Sequence, residues 1–463
     1  MKFRVGGCLV LISLVSCTVG PDYHKVEPTV PKQWQSASNE HIQTSKALDL
    51  KTYWLSFADA ELNTLINKAL QNNLDVKIAL ARVEQARSER RGVRAELFPK
   101  VNATAGVQRQ NNPFPGLAQG IKYNMFEMGF DAIWEIDLYG RQQRRLESAV
   151  AEQESATELH HQALVTLTSE VARSYIGYRS LQNQLRITRS NLSAQQHTLK
   201  LTEQLYTEGV NARNDVVRAK AQVESTSAQI PDLEANLMAS LYQLEVLLGQ
   251  QPGSLMTELN ATDKMPVIPG QVFLSTPIVT IQNRPDIHAS ERRLAAATAM
   301  QGAAIAEQFP KISISTFFGL RNTDLDTLFK SAAFSYGTAA NFVQPLLDFG
   351  RIQAGIDLAE SKQKAAYLEY EKLVLEALQE TETTLTRYLK EELRRQALLR
   401  LISELQESVR LSELRYQEGV STFLEVLDSQ RALYAAQIDL ARSEAATATY
   451  LIACYKSMGG GFR

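Results

Sequence analysis

Cysteine is nearly absent from these 463 residues: Cys8, Cys17 and Cys454 are the only three. Two of them fall in or at the end of an N-terminal apolar run, so no disulfide framework organises the fold. Charge of one sign is also missing. Forty-nine Lys and Arg stand against 51 Asp and Glu, which removes any global electrostatic ground for nucleic acid binding. The chain contains no HExxH, CxxC, GxSxG or P-loop pattern. The eight Met form no cluster, and His160-His161 is an adjacent pair read as a solvated helix face rather than a metal site. No enzyme, cofactor or resident metal is expected. An envelope hydrolase would need a nucleophile and base that the sequence does not supply.

Helix breakers are scarce where it matters most. No Pro occurs between Pro115 and Pro231, and none follows Pro345; Arg141 to Glu208 holds only Gly177, and Arg351 to Glu418 only Gly355. With Ala, Leu, Glu, Gln and Arg filling both stretches, the composition predicts continuous helices over about 139–208 and 349–418. Each would be about 105 Å long at 1.5 Å per residue. Both run into the same corner: Tyr206, Glu208, Gly209 and Val210 are repeated as Tyr416, Glu418, Gly419 and Val420. Each Gly suits a left-handed helix end after which the chain turns back. Thr422 to Glu425 fits a capping box opening a helix to about Lys456. Asn211 or Asn214 could cap one to about Leu248, with a kink or break at Pro231.

The echo extends further. Asp75 to Lys100 aligns without a gap to Asp286 to Lys311, pairing two "FPK" triplets, and "LYGR" at Leu138 answers "DFGR" at Asp348. The chain is a duplication of one unit about 210 residues long. Between FPK and GR the period changes to two. Phe126, Met128, Phe130, Ala132, Trp134 and Ile136 alternate with Glu127, Gly129, Asp131, Ile133 and Glu135. Val101 to Val107 and Ile312 to Leu320 do likewise, and Phe334 to Phe342 less cleanly. That makes four strands of roughly 9 to 13 residues, the length of a transmembrane β-strand. Four cannot close a barrel, so several copies must share one.

At the N-terminus Lys2 and Arg4 precede "VGGCLVLISLVSC", too short for a membrane helix and laid out as a secretory signal. "LVSC", ending at Cys17, resembles the bacterial lipoprotein signal, which implies acyl chains on Cys17 and, with Thr18 in second position, sorting to the outer membrane. The boundaries read as signal 1–16, an extended lipid-anchored segment 17–58, a first repeat 59–258, a second repeat 259–456 and a flexible tail 457–463.

"CTVGPDYHKVEP" (Cys17 to Pro28), "IPDLEANLMASLYQLEVLLGQQPG" (from Ile230), "NRPDI" (from Asn283), the paired "FPK" and "RYQEGVSTFLEVLDSQRALYAAQ" (from Arg415) resemble the TolC-like outer-membrane efflux channels, in particular their lipoprotein (NodT/OprM-type) branch. The resemblance covers the mature chain. It implies a mainly α fold with a small membrane β part: four strands per chain, and a homotrimer with a twelve-stranded barrel and a twelve-helix tunnel. It implies an exit duct in a tripartite efflux system, docked to a periplasmic adaptor and an inner-membrane pump of the RND class. By the same resemblance the aperture gate falls on Asp428, Glu425, Tyr416 and Asp215, and adaptor tips fit at Gly209, Val210, Gly419 and Val420. Glu425 stands where Asp is common, and Ser421 where a relative has Arg, leaving Arg218, Arg415 or Arg431 as replacements. Simpler roles stand beside these: Glu425 completing the capping box, Asp215 and Arg218 as an exposed i,i+3 pair, and both Tyr packing beneath their Gly turns. The rival class is a periplasm-spanning coiled-coil lipoprotein without a pore.

Overall fold

A computed structural model describes residues 18–37, 42–44, 52–112, 121–210, 212–259, 264–269 and 272–460. The signal segment, Cys17, Asn211 and most of the 111–122 loop lie outside them. In chain order the elements are β1 (Ile42–Thr44), α1 (Ala60–Asn72), α2 (Leu74–Ala95), β2 (Lys100–Asn112), β3 (Ile121–Ile136), α3 (Arg141–Thr207), α4 (Arg213–Ser227), α5 (Gln229–Leu247), α6 (Met256–Leu259), β4 (Val272–Leu274), α7 (Pro277–Asn283), α8 (Pro285–Ala306), β5 (Lys311–Asn322), β6 (Phe334–Val343), α9 (Arg351–Gln417) and α10 (Phe423–Ser457). The two long helices have 67 residues each and end within two residues of the expected limits. No described helix is long and apolar enough to cross a membrane.

Contacts divide the chain into two compact units that cut across the sequence repeats. One takes residues through Glu27, Arg82–Thr157 and Ala289–Glu371; the other takes Pro28–Ala81, Glu158–His288 and Lys372 onward. Each unit therefore draws on both repeats.

The first unit holds an antiparallel sheet ordered β2-β3-β5-β6. Its two hairpins share one register: Ala103 opposite Phe130 in the first falls, by the repeat, on Ile314 opposite Ala340 in the second. The hairpins meet through β3 and β5, with Phe130 opposite Phe318 and Gly129 opposite Gly319. A Cβ on Gly319 would lie 2.4 Å from the Met128 carbonyl oxygen, so this close crossing requires Gly. The alternation read from sequence sorts the sheet into an apolar face, on which Val101, Val107, Phe130, Phe318, Tyr336 and Phe342 are exposed, and a polar face. On the polar face Arg321 pairs with Glu127 at 3.0 Å and lies over the Phe317 ring. β3 is longer than expected, at 16 residues. β2 and β6 end the sheet, and among the described residues no strand lies beyond them.

The second unit holds the main apolar core. Tyr53, Phe57, Leu62, Leu65 and Ile66 pack with Val171, Tyr175, Ile176, Leu241, Leu244, Leu451 and Tyr455. Elsewhere the long helices bury small polar residues. Thr188, Thr202 and Thr381 donate their hydroxyls to the carbonyl four residues back, which satisfies each donor within its own helix, and the Thr188 hydroxyl also meets the Tyr434 hydroxyl on α10 at 3.1 Å. Two Arg are buried in this unit. Arg179 bonds Glu61, Gln182, the Leu259 carbonyl and Tyr175, and lies over the Tyr175 and Tyr178 rings. Arg284 holds Asp286 and Glu380, each at 2.7 Å, and donates to the Ser457 carbonyl at the end of α10. Its counterpart in the first repeat is Asn73, which donates to the Leu247 carbonyl at the end of α5. β1 and β4 add a short parallel pair that period alone did not reveal.

Two local expectations are corrected. Thr422 is the N-cap residue of α10, yet its side chain makes no capping bond, so the capping box does not form. The Glu425 amide instead turns onto the Thr422 carbonyl, and its carboxylate faces Arg415. The N-cap of α4 is Ala212 rather than Asn214, which lies inside the first turn. At Pro231 the break falls at Ala228, because Pro231 cannot donate to the Ser227 carbonyl and its ring crowds that oxygen.

Candidate functional site

The corners are built alike. After α3, Gly209 has φ +80°, its amide donates to the Tyr206 carbonyl at 3.0 Å, and the Val210 amide donates to Leu205 at 2.9 Å. After α9, Gly419 has φ +72°, bonding Tyr416 at 3.0 Å, with Val420 bonding Arg415 at 2.9 Å. Each is a Schellman motif, which needs a residue that accepts positive φ. No atom lies within 4 Å of where a Cβ would sit on either Gly, and Val210 and Val420 are equally exposed. Both corners thus end in a bare Gly-Val tip.

The tyrosines differ. Tyr416 is 6% exposed and packs on Phe423 within a cluster that includes Ala219, Val426 and Leu427. Tyr206 is 43% exposed. The cause is four residues past each Gly: Phe423 in the second corner, Arg213 in the first.

Asp215 and Glu425 sit in the first turns of α4 and α10, six residues after their Gly, where a helix N-terminus favours negative charge. Asp428 lies one turn beyond Glu425 and is exposed, and among the described residues it has no ion pair. The candidate cations separate clearly. Arg415 approaches Glu425 at 3.9 Å, Arg431 donates to Gln222 at 2.6 Å, and among the described residues Arg218 makes no ion pair, so the expected Asp215–Arg218 pair does not form. Among the described residues the Ser421 hydroxyl is buried without a hydrogen-bond partner. Among the described residues no group of three His, Cys, Asp or Glu could hold a metal, and the His160 and His161 rings lie 5.9 Å apart.

Sequence reasoning missed how the residues after Cys17 are seated. Cys17 itself lies outside the described residues, but Thr18 presses on Gly140, where a Cβ would come 2.6 Å from Thr18 Cγ2. Gly20, at φ +90°, crosses Gly302 with a virtual Cβ 2.5 Å from its Cα. Arg144 is buried and gathers the segment, bonding the Val19 and Gly20 carbonyls and the Asp22 carboxylate at 2.7 Å. Tyr23 donates to Glu291 at 2.8 Å. This seat adjoins the end of β3, where the sheet passes into helix. The Gly in "CTVGPDY" and in "LYGR" were the available signals, although nothing in their spacing says that they meet Thr18 and Gly302.

Comparison with known proteins gives the class. The family model described as outer membrane efflux protein matches residues 65–250 and again 278–460, one match per repeat. The chain belongs to that family. It is similar to nodulation protein T of Rhizobium leguminosarum bv. viciae, 30% identical with 100% of this chain and 94% of the relative covered. It is also similar to the solvent efflux pump outer membrane protein SrpC of Pseudomonas putida, 29% identical over 100% and 99%. Among solved structures the outer-membrane channel OprN superimposes with a TM-score of 0.91 at 33% identity, covering 96% of this chain and all of that one.

Proposed function

We propose that three copies of this chain form the exit duct of a tripartite efflux system, with twelve strands in the outer membrane and twelve helices enclosing a periplasmic tunnel. The observation that carries this is the sheet. Four strands expose one apolar face, which suits lipid rather than water, and leave β2 and β6 unpaired at its edges, which lipid does not tolerate until neighbouring copies close the ring. The duct is passive and has no catalytic role. A cargo does not follow from the relatives, one being named for nodulation and another for solvent efflux, so selection is assigned to the inner-membrane pump, of RND class.

Acyl chains on Cys17 would enter the membrane from the seat of Thr18, at the sheet's helical end, and supplement the barrel's hold. The Gly209-Val210 and Gly419-Val420 tips are assigned to the periplasmic adaptor. The aperture is assigned to Asp428, Glu425, Asp215 and Tyr416. Among the described residues Asp428 has no counter-ion, and threefold repetition would set like charges around an axis and favour cations. A poreless coiled-coil lipoprotein is disfavoured, because it would leave Phe130, Tyr336 and Phe342 in water.

The test is conductance of the purified protein in a planar bilayer, wild type against Asp428→Ala combined with Glu425→Ala. Higher conductance and weaker cation preference are expected. Unchanged current and selectivity would remove both residues from the gate, and no conductance from the wild type would remove the duct.

A further inference from the structure

α8 is occupied on one face and open on the other. Toward the N-terminal segment it offers Glu291, which accepts from Tyr23, and Gly302, which Gly20 crosses. On the opposite side Arg293, Ala297, Met300, Ala304 and Glu307 recur at alternating spacings of four and three, so they share one face. That face lines a groove of about 490 Å³ flanked by α3 and α9, a size that suits a small ligand. Its floor is apolar: Ala296 and Ala303 are buried, Met300 is 45% exposed, and α9 adds Leu358 and Ala359.

The charges around the groove are not equivalent. Near the sheet Arg141 is held by Glu135 at 2.7 Å and Glu307 at 3.3 Å, and Arg145 by Glu96 at 2.9 Å. Toward the other end Arg293, Lys362 and Glu152 line it; all three are exposed, and among the described residues none makes an ion pair. Two cations against one carboxylate leave that end positive. From Arg293 to Glu307 the helix advances roughly 21 Å at 1.5 Å per residue, room for a head and an extended tail. The repeat does not require this floor. At the matching places α2 carries Gln85, Glu89 and Val93 for Ala296, Met300 and Ala304, and α3 carries Glu152 where α9 has Lys362.

We propose that this groove binds a single-chain amphipathic anion, its acidic head meeting Arg293 and Lys362 and its aliphatic tail running over Ala296, Met300, Ala303 and Leu358 toward the sheet. A carboxylate or sulfate head gains charge-assisted hydrogen bonds from both cations, and the tail leaves water for an apolar strip. The ligand arrives from water rather than from the bilayer, because Glu360, Lys362 and Lys364 are exposed charges on the flanking helix that membrane acyl chains would not cover. The site lies within one chain and goes beyond the exit-duct reading, so the two can fail separately.

Protection of an introduced thiol by laurate tests the site. Met300→Cys in the full-length chain, held in phosphatidylcholine nanodiscs, is labelled with maleimide and read at that residue by mass spectrometry, with Val246→Cys, exposed on α5, as the reference. Saturating laurate should slow Met300→Cys roughly tenfold and leave Val246→Cys unchanged. Dodecanol and dodecyltrimethylammonium should protect neither. Adding Arg293→Gln and Lys362→Gln should raise the laurate concentration needed by roughly tenfold or more. No protection, equal protection of both thiols, protection by dodecanol or by the cation, or protection that survives both substitutions overturns the site. So does a Met300→Cys that labels only after unfolding, since another copy would then cover the groove. Protection by phosphatidylglycerol but not by laurate overturns it too, by making the occupant a membrane lipid. Conductance of the same variants in a planar bilayer reads the duct independently.

Discussion

Gly140 and Gly350 occupy the same place in the two repeats, with φ of +77° and +84°, and only one of them has a neighbour. Replacing either by Ala costs about 1–2 kcal/mol for the left-handed backbone. At Gly350 that is the whole effect, since nothing lies within 4 Å of the new Cβ. At Gly140 the Cβ would meet Thr18 at Cγ2, Cα and Cβ, 2.6, 2.8 and 2.9 Å away. A rotamer change cannot move a Cα, so the segment itself must shift, adding about 1–3 kcal/mol of overpacking. Thr18 is exposed on its other side, so the segment lifts rather than the helix distorting. Its opening equilibrium should rise by about 5- to 150-fold, one decade per 1.4 kcal/mol, and cleavage follows that equilibrium when closing is fast. Limited trypsinolysis of the full chain in detergent, timed at exposed Lys25, reads it directly. Faster cleavage in Gly140→Ala with wild-type cleavage in Gly350→Ala is expected. Equal rates in the two variants would refute the seat.

Arg284→Met should destabilise by about 3 kcal/mol, below the full cost of orphaning a buried pair because water reaches Glu380, and thermal and denaturant melts of helical signal that move by under about 1 kcal/mol would refute it. The Cys454 thiol, pushed up to about 12 by burial and only partly offset by Thr384, should resist maleimide in the native protein and react once unfolded; native labelling would contradict the packing of α10. Although burial works against it, Lys311 and Arg141 hold the Glu307 carboxyl below its ordinary value of 4.5. A depressed carboxyl contributes stability at neutral pH that disappears as pH falls through the folded value. Glu307→Gln should therefore melt lower than wild type near pH 7 and converge with it in acid, and a gap that persists in acid would show that the charge is not the cause.

What the sequence made legible is what local rules govern. Missing breakers bounded α3 and α9, positive-φ glycines placed both corners, and alternation separated the two faces of the sheet. What it hid depends on residues far apart in the chain. The seat of Thr18 on Gly140 needs two segments more than a hundred residues apart to touch. Nothing local marks Arg179 and Arg284 for burial; the Leu259 and Ser457 carbonyls that they meet lie far along the chain. The capping box at Thr422 did not form: the Glu425 amide turns to the Thr422 carbonyl, and the Glu425 carboxylate faces Arg415 across the corner. Of the candidate gate residues, their placement on the helical corners was legible, and packing of each Tyr beneath its Gly turn was one reading of them; that Tyr416 is buried and Tyr206 is not was hidden, since it depends on Phe423 and Ala219 arriving from two other helices.

Duplication explains the economy of the fold and sets off an asymmetry between its two corners. The two corners share every bond that ends a long helix, so their turns have the same geometry and the same local cost. They differ in what covers the turn. The second corner plugs Tyr416 with Phe423, Val426 and Leu427, while the first places Arg213 at the matching position and leaves Tyr206 and Val217 in the open. Burying an aromatic against aliphatic neighbours contributes about 1.5–3 kcal/mol, and the first corner lacks that contribution. If an aperture forms where three copies bring six corners together, the six are alike in shape but divide into two classes by stability, and the more weakly packed class is the one that a partner at the tips can displace at lower cost.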